Sequence, residues 1–275
     1  DRCLAMSGRF ESILLVGCGN MAGAMLRGWL AGGMAPERFT VADPARPALP
    51  EGLRSLAEIP ATGTFDAILL GVKPQLLGQV APQVGPLAGG GATVLSLLAG
   101  VDLETLAQTF PNAAAHVRVM PNLAVELGKA PIALAERGLD DEGRAALLVL
   151  MTPLGAPEWV GEEQFDLVTA LAGSGPGFVY RFIDALAAAA TELGLDRTQA
   201  DRLALAMVEG AAALAAASPH DPGELARRVA SPGGMTQEGL DVLDRDGALV
   251  HLLTETLRAA RDRGERLAAE ARSKG

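Results

Sequence analysis

Residues 13–22 read ILLVGCGNMA, an apolar run of strand length followed at once by a glycine-rich turn. Residues 21–31 then place large apolar side chains at helical spacing. A turn of this kind between a strand and a helix, spaced G-x-G-x-x-A, is the dinucleotide-binding fingerprint. In it Gly17 permits the tight turn, Gly19 lets the backbone approach a pyrophosphate, and Ala22 allows the helix and strand to pack closely. Glycine turns also occur only to pack a helix on a strand, but this turn follows the first strand of a repeated strand/helix pattern, which favours the dinucleotide interpretation.

The first half of the chain repeats this alternation of strand and helix. Short apolar runs bounded by Gly, Pro, Asp or Asn predict strands, and longer amphipathic stretches between several of them predict helices. The predicted strands are Ser12–Gly17, Phe39–Ala42, Ala67–Val72, Thr93–Leu97, His116–Met120 and Ile132–Ala135. Apolar runs separated by crossovers are typical of a parallel sheet with helices on each side. We therefore expect a Rossmann-type α/β domain with a mostly parallel sheet over residues 1–160.

The pattern changes near Gly161, and from Gln164 onward only helices are predicted. The helix-length segments are 175–193, 198–217, 222–230, 236–245 and 248–270. Their interiors are rich in alanine, which favours helices. We expect an all-α domain over residues 161–275. The apolar face of Leu203–Ala217 is too wide for a small bundle covered on one side only, so we expect this domain to form the interface of a homodimer.

Composition and charge exclude several classes of protein. The 275 residues carry a formal net charge of -10, whereas a nucleic-acid binder needs a basic face that replaces counterions. The two cysteines, Cys3 and Cys18, offer no disulfide framework and no metal-binding spacing, so we expect no metal and a reducing compartment. The first ten residues lack the apolar core of a signal peptide, and the longest apolar stretch is shorter than the ~18 residues of a spanning helix. We therefore expect a cytoplasmic protein with no membrane or nucleic-acid partner.

Asp43, just past the second predicted strand, bears on the choice of dinucleotide. An acidic residue there can hold the ribose 2′-hydroxyl of NAD(H) and repels the 2′-phosphate of NADP(H). Arg46 follows closely and could instead pair with that phosphate. An Asp-Pro step is also a common start of a turn. The sequence therefore leaves the cofactor preference open.

Two more segments end predicted strands where a ligand of a parallel sheet is expected. Val72-Lys73-Pro74 ends the third, and Lys73 either meets a phosphate or ribose or is a solvated loop lysine. Residues 96–100, with Ala99, end the fourth. Both segments are therefore candidates for contact with the cofactor.

A second glycine turn lies in the helical half, where residues 229–236 read VASPGGMT ahead of a predicted helix. Ser231-Pro232-Gly233-Gly234 presents backbone N–H groups with no side chain to block an anion. The dipole of the following helix adds to the attraction, and this suits a small carboxylate. The alternative is an ordinary helix entry with Ser231 or Thr236 as the N-cap.

Five segments occur one after another along the chain: Gly17–Ala22, Val72–Pro74, Arg118–Asn122, Ala170–Gly177 and Val229–Thr236. In this order they resemble the pyrroline-5-carboxylate reductase family, and the similarity spans about residues 11–265. Ser-Pro-Gly-Gly-x-Thr is the most specific part. The resemblance implies NAD(P)H-dependent reduction of the cyclic imine 1-pyrroline-5-carboxylate to L-proline, the last step of proline biosynthesis. It also implies a homodimer or a larger ring of dimers.

The resemblance further implies which residues act. The second glycine turn would bind the substrate carboxylate, and the hydroxyl of Thr236, the candidate catalytic residue, would hydrogen-bond the ring nitrogen. The implied substrate-binding residues are Ser231, Gly233, Gly234, Met235 and Thr236. The residues expected to bind NADPH or NADH are Gly17, Gly19, Asn20, Met21, Ala22, Asp43, Arg46, Val72, Lys73, Pro74, Ala99, Met120 and Asn122.

Several positions depart from the family's usual pattern. Leu123-Ala124 stand where Thr-Pro is usual, Phe178 where Tyr is usual, and Met235 where Thr or Ala is commoner. A related cyclic imine acid therefore stays open as the substrate. A β-hydroxyacid dehydrogenase of similar plan would need a catalytic lysine at the start of the second domain, and residues 174–272 contain no lysine. A non-catalytic NAD(P) sensor or scaffold would need no carboxylate cradle.

Overall fold

The computed structural model describes residues 9–45 and 48–272, which form two compact units. One unit holds the chain up to Gly173 together with the segment from Ala260 onward, and the other is Ser174–Ala259. The last strand ends before residue 161, where the sequence analysis divided the chain. That domain boundary follows the change in secondary structure and stays a prediction.

The first unit is a sheet with helices on both faces. Its strands are β1 (Ile13–Val16), β2 (Phe39–Ala42), β3 (Arg54–Leu56), β4 (Ala67–Leu70), β5 (Thr93–Ser96), β6 (Ala115–Met120), β7 (Ala130–Arg137) and β8 (Gly155–Trp159). Its helices are α1 (Asn20–Ala31), α2 (Leu77–Ala88), α3 (Leu103–Thr109), α4 (Asp141–Met151) and α5 (Phe165–Val168), followed by a π-helical turn, Thr169–Gly173.

The strands form one sheet in the order β3-β2-β1-β4-β5-β6-β7-β8. The first six strands of the chain run parallel, β7 is antiparallel to β6, and β8 is parallel to β7. β1 lies in the middle of this arrangement, with Val16 paired to Ala42 of β2 and to Leu70 of β4. The predicted Rossmann-type, mostly parallel sheet is confirmed.

Alternate residues of β1 belong to two separate buried clusters. Ile13 and Leu15 lie in one, Leu14 and Val16 in the other, and all four are at most 1% exposed. Since successive side chains of a strand point to opposite faces, the clusters lie on opposite sides of the sheet. The first includes residues of α1 and α4, the second residues of α2 and α3. Helices therefore cover both faces of the sheet, and the continuous apolar runs in the sequence follow from this.

Helix α1 packs so closely that one of its positions admits only glycine. A Cβ on Gly28 would lie 2.4 Å from the carbonyl oxygen of Val125 and 2.7 Å from Leu154. Next to it Trp29 is fully buried, stacks on Phe39 with ring centroids 5.4 Å apart, and donates from Nε1 to the carbonyl oxygen of Leu150 at 2.8 Å. These contacts fix the helix that begins at the glycine turn.

The second unit contains helices, and among the described residues from 164 onward no strand occurs. The helices that begin there are α6 (Gly175–Glu192), α7 (Arg197–Ala217), α8 (Pro222–Val229), α9 (Met235–Asp244) and α10 (Ala248–Arg272). Their bounds agree with the prediction within two residues at each end, and Gly194 follows α6 with a φ of 111°, as expected for a C′ glycine. α6 and α7 pack through small side chains, with Ala187, Ala200 and Ala204 buried. The predicted all-α second domain is confirmed as a fold class.

The last helix belongs to both units, because α10 begins in the second and its final turns lie in the first. Ala268 in those turns is buried against Gly100 of the loop after β5. Gly100 has a φ of 77°, and a Cβ there would lie 3.2 Å from the backbone of Ala268. This contact joins the far end of the chain to the sheet.

In the part of the chain that the structure describes, no single helix has the length and apolar character needed to cross a membrane. The pair α7 and α8 meets both conditions only when taken together, and the chain bends by 119° between them.

Candidate functional site

The carboxyl ends of the parallel strands meet at one edge of the sheet. The segments that follow β1, β2, β4, β5 and β6 at this edge carry Gly17, Asp43, Lys73, Ala99 and Asn122. Ligands of open α/β sheets bind outside such an edge. The fold therefore brings five of the segments chosen from the sequence for the cofactor to one place.

The turn after β1 is tight and depends on the first glycine of the fingerprint. Gly17 has a φ of 84°, a conformation that side chains other than glycine's rarely adopt. Its N–H donates to the carbonyl oxygen of Ala42 at 2.9 Å. A Cβ at Gly17 would also lie 2.8 Å from Val72 Cγ1. Glycine is therefore required here, both by the positive φ and because the segment after β4 leaves no room for a side chain.

A glycine that the sequence analysis did not select completes this packing from the other side. A Cβ on Gly71 would lie 2.6 Å from the carbonyl oxygen of Gly17 and 2.7 Å from Cβ of Ala22. Gly71 N–H donates to the carbonyl oxygen of Val16 at 2.9 Å. The available signal was a glycine between the strand at 67–70 and the Val72-Lys73-Pro74 motif.

The start of α1 is open where a phosphate would approach. Gly19 is the N-cap of the helix, no side chain caps it, and nothing lies within 4 Å of the place where a Cβ would stand. Gly19 and Asn20 are exposed, and Met21 is half-buried. Uncapped N–H groups and the positive end of the helix dipole attract anions, so the residues present fit a pyrophosphate.

Asp43 follows β2 and is bonded to the glycine turn. Its Oδ2 accepts a hydrogen bond from Cys18 N–H at 2.6 Å, and its Oδ1 accepts one from Ala45 N–H at 2.8 Å. The carboxylate thus closes the Asp-Pro turn and also holds the fingerprint loop, so the turn interpretation and the interpretation as a cofactor residue are compatible. Arg46, the other residue considered for this place, lies outside the described residues.

The thiol of Cys18 is buried inside this turn. Burial raises the pKa of the Cys18 thiol, and the nearby Asp43 carboxylate raises it further, while Arg27 acts in the opposite direction. The thiol is therefore a packing group at neutral pH. Among the described residues, no group of three or more His, Cys, Asp or Glu side chains is placed to hold a metal ion.

Lys73 and Ala99 are both exposed at the carboxyl edge, Lys73 at the residue before a 3₁₀ turn that begins with Pro74. Val72 is half-buried against the core under α2 and α3. These placements leave Lys73 and Ala99 free to meet a ligand. Their contacts with a cofactor stay a prediction.

Asn122, after β6, uses its side chain within the fold. Its Nδ2 donates to the carbonyl oxygen of Ala172 at 2.9 Å, and its Oδ1 accepts from Ala124 N–H at 2.9 Å. The residue is 6% exposed. Met120 lies beside the same turn, with its Sδ 3.5 Å from where a Cβ on Gly173 would stand. The Met-Pro-Asn segment therefore holds the π-helical turn that immediately precedes the second unit.

Arg118 is a buried cation within β6, and the sequence motif that contains it assigns it no role. Arg118 is paired through Nη1 with Glu162 Oε1 at 3.0 Å and stands 3.9 Å from the centre of the Phe165 ring. Glu162 Oε1 also accepts from Leu103 N–H at 3.0 Å. These bonds join β6 to α3 and to the segment that leads into α5, beside a cavity of about 230 Å³. Arg118 is therefore explained as a structural tie.

The second glycine turn has the geometry that the sequence indicated. Gly234 N–H donates to the carbonyl oxygen of Ser231 at 2.8 Å, and Gly233 has a φ of 70°. Proline second and a glycine of positive φ third are the residues of a type II turn. Gly234 is the N-cap of α9 and no side chain caps that helix. The alternative in which Ser231 or Thr236 is a simple N-cap is therefore wrong, because a glycine occupies that place.

The residues expected to bind substrate are exposed at the start of α9. Ser231, Gly233, Met235 and Thr236 are exposed, and Met235 is 94% exposed. With no side-chain cap, the first N–H groups of the helix can receive a carboxylate, and the Thr236 hydroxyl stands in the first turn beside them. The cofactor edge belongs to the first compact unit and this turn to the second.

Comparison with known proteins gives a consistent result. Residues 162–267 match the family model for pyrroline-5-carboxylate reductase dimerisation. The pyrroline-5-carboxylate reductase of Methanosarcina acetivorans is 33% identical over 91% of this chain and 96% of its own length.

Solved structures are similar as well. A pyrroline-5-carboxylate reductase from Coxiella burnetii has a TM-score of 0.86 and 29% identity, covering 94% of this chain and 98% of its own. The Plasmodium falciparum pyrroline carboxylate reductase, solved with NADP bound, has a TM-score of 0.76 at 21% identity over 94% of this chain and 98% of its own, which shows the shared fold. With the five sequence segments, the sheet order and these relatives in agreement, the chain belongs to the pyrroline-5-carboxylate reductase family.

Proposed function

We propose that this chain reduces 1-pyrroline-5-carboxylate to L-proline with NADPH or NADH. The observation that carries the proposal is the uncapped Ser231–Gly234 turn with Thr236 in the first turn of α9, in a chain that also has an open glycine cradle after β1. The first feature suits a small carboxylate beside a polar ring atom, and the second suits a pyrophosphate. Family membership supports the combination.

The proposed binding residues form two groups, one for the cofactor and one for the substrate carboxylate. At the cofactor end, the backbone of Gly19 and the start of α1 would hold the pyrophosphate, with Asp43 beside the ribose and Lys73 at the neighbouring strand end. At the substrate end, the N–H groups of Gly234 and Met235 would hold the carboxylate, with Ser231 available as a further donor. A chain with a net charge of -10 therefore binds two anions through local backbone dipoles.

The chain's own residues have little acid–base work to do. The nicotinamide cofactor, when bound, supplies the hydride that goes to the carbon of the protonated imine, and the ring nitrogen, which already carries its proton, ends as the amine of proline. The Thr236 hydroxyl would accept a hydrogen bond from the N–H of that nitrogen and so orient the C=N bond. Its hydroxyl is too weak an acid to protonate the imine alone. Positioning of the two reactants is the main contribution, and it can be worth roughly 7–11 kcal/mol.

Loss of the absorbance of the reduced cofactor at about 340 nm, with 1-pyrroline-5-carboxylate present, tests the reaction directly. Thr236→Ala should lower kcat by about a hundredfold, because a misplaced C=N bond meets the hydride less often, and should leave cofactor affinity unchanged. The matched control is Thr198→Ala, since Thr198 is likewise exposed and second in its helix, α7. Unchanged turnover in Thr236→Ala would remove the hydroxyl from the mechanism, and no oxidation of either cofactor would reject the activity, leaving a sensor or scaffold.

A related cyclic imine acid is the second candidate substrate. Met235 at the carboxylate turn and Leu123 beside the Met-Pro-Asn segment are both large and exposed, 94% and 57%, where the family usually has other residues. A six-membered cyclic imine acid in the same assay separates the two candidates. A higher kcat/KM for the six-membered ring would favour the alternative.

We also propose a cytoplasmic homodimer, alone or within a larger ring of dimers. The second unit exposes large apolar side chains along its helices, among them Leu193, Leu203, Leu205, Leu214 and Val250. The matched family model, named for dimerisation, covers those helices. Light scattering should give at least twice the mass of one 28.3 kDa chain, and a monomer at working concentration would contradict the proposal.

A further inference from the structure

The Asp43 carboxylate is held in place by two backbone groups from different parts of the chain. Cys18 N–H, inside the glycine turn, donates to Oδ2, and Ala45 N–H donates to Oδ1. Because each oxygen has its own donor, rotation of the side chain breaks at least one of the bonds. The residue is half-buried, and its own N–H donates to the carbonyl oxygen of Leu56 at 3.0 Å. Main chain and side chain are thus both fixed.

The position of the Asp43 carboxylate in the fold determines which part of a bound cofactor it contacts. β2 is the neighbour of β1, with Ala42 paired to Val16, so the residue after Ala42 borders the glycine turn. In a sheet of this kind the adenosine ribose lies over the end of that strand. Each carboxylate oxygen has a further lone pair for a ribose hydroxyl. Both bonds already present come from uncharged groups, so the negative charge stays at the site.

We infer that Asp43 makes NADH the preferred cofactor and that its two backbone bonds are what make the preference strict. A ribose 2′-hydroxyl can donate to the fixed carboxylate. A 2′-phosphate is repelled by the same carboxylate, because both are negatively charged and the Asp43 side chain cannot rotate away. Lys73 follows β4, which lies on the opposite side of β1 from β2. The ends of β2 and β4 are therefore two strand spacings, about 10 Å, apart. The inference rests on the proposed function for its ligand, a nicotinamide dinucleotide, but its test measures cofactor binding without the imine substrate.

The first measurement is the dissociation constant of each reduced cofactor, followed through its fluorescence on binding to the full chain. NADH should bind at least about tenfold more tightly than NADPH. Asp43→Ser should reduce this ratio about tenfold, mainly through tighter NADPH binding. Asp43→Glu keeps the charge but lengthens the side chain, which breaks the fixed geometry, and should give an intermediate ratio.

Glu58→Gln is the matched control. Glu58 is an exposed carboxylate two residues beyond β3, the neighbouring strand at the same edge, and it should leave the ratio unchanged. An equal effect of Glu58→Gln would show that the net charge of the edge, not the fixed Asp43, sets the preference. If Asp43→Ser gives no cooperative thermal transition, Asp43→Asn, which removes the charge and keeps one oxygen acceptor, replaces it.

The outcomes separate the inference from the proposed function. Wild type that binds NADPH as tightly as NADH overturns the inference, and loss of that binding in Arg46→Ala would then assign the phosphate to the arginine. An unchanged ratio in Asp43→Ser also overturns it. Preferred binding of NADH without turnover of 1-pyrroline-5-carboxylate rejects the proposed function and leaves the inference standing.

Discussion

Gly71→Ala tests whether the end of β4 sets the position of the cofactor turn. The added methyl would lie 2.6 Å from the carbonyl oxygen of Gly17 and 2.7 Å from Cβ of Ala22. Non-bonded heavy atoms settle at about 3.5 Å, so the turn or the strand must move by roughly 0.8–0.9 Å. Gly17 is tied to Ala42 by its N–H and cannot yield without cost.

The size of the effect follows from that displacement. Inserting a methylene-sized group into a packed region costs about 1–3 kcal/mol. In a protein of this size each kcal/mol lowers the Tm by about 2–4 °C. A turn displaced in the free protein must also be drawn back when a dinucleotide binds, so the dissociation constant of the cofactor should rise about tenfold or more. Both changes are expected in the same variant.

Thermal unfolding and cofactor fluorescence titration measure the two changes. The control is Gly78→Ala in α2, where no atom lies within 4 Å of the added methyl. Because alanine favours a helix over glycine, this control should be neutral or more stable by up to about 1 kcal/mol. If Gly71→Ala kept the wild-type Tm and cofactor affinity, the close contact at Gly17 would not control the turn.

Two other variants test contacts at the same edge. Asn122→Ala leaves the Ala172 carbonyl and the Ala124 N–H without their partner. It should lower the free energy of unfolding, measured with urea, by about 1–3 kcal/mol. The control Asn112→Ala, at an exposed position, should leave that free energy unchanged, and equal effects of the two variants would contradict the role of Asn122. Because burial raises the pKa of Cys18, little thiolate forms at pH 7, so in a Cys3→Ser chain a thiol reagent should react slowly with the folded protein and rapidly in urea. Fast labelling of the folded protein would refute this.

The fold was predictable where local pattern and long-range packing agree. β1 and the glycine turn carry their signal within residues 13–22, and the second-unit helices carry theirs in alanine-rich runs with clear ends such as Gly194. β3 was missed because it is a three-residue, half-exposed edge strand, and β8 because its sequence, GAPEW, has no apolar run. α2 was missed with Pro82 and Pro86 inside it, and α4 lies in a stretch that was left unassigned.

The candidate site also has residues that the sequence could predict and residues that it could not. The glycines at 17, 19, 233 and 234 could be selected because their spacing in sequence is itself the signal. Gly71 and the Asp43–Cys18 bond could not, because each depends on a contact between segments far apart in sequence. The use of the Asn122 amide inside the fold likewise becomes visible only once Ala172 is placed beside it.

The contact between Gly100 and Ala268 has a consequence for the order in which the protein forms during synthesis. The first unit takes its last turns of helix from residues beyond 259, so a ribosome must translate the whole second unit before the first can close. At about 5–20 residues per second this interval lasts on the order of 5–20 s. Throughout it the loop after β5 lacks its covering helix. The loop after β5 therefore stays without this contact until residues beyond 259 have been translated.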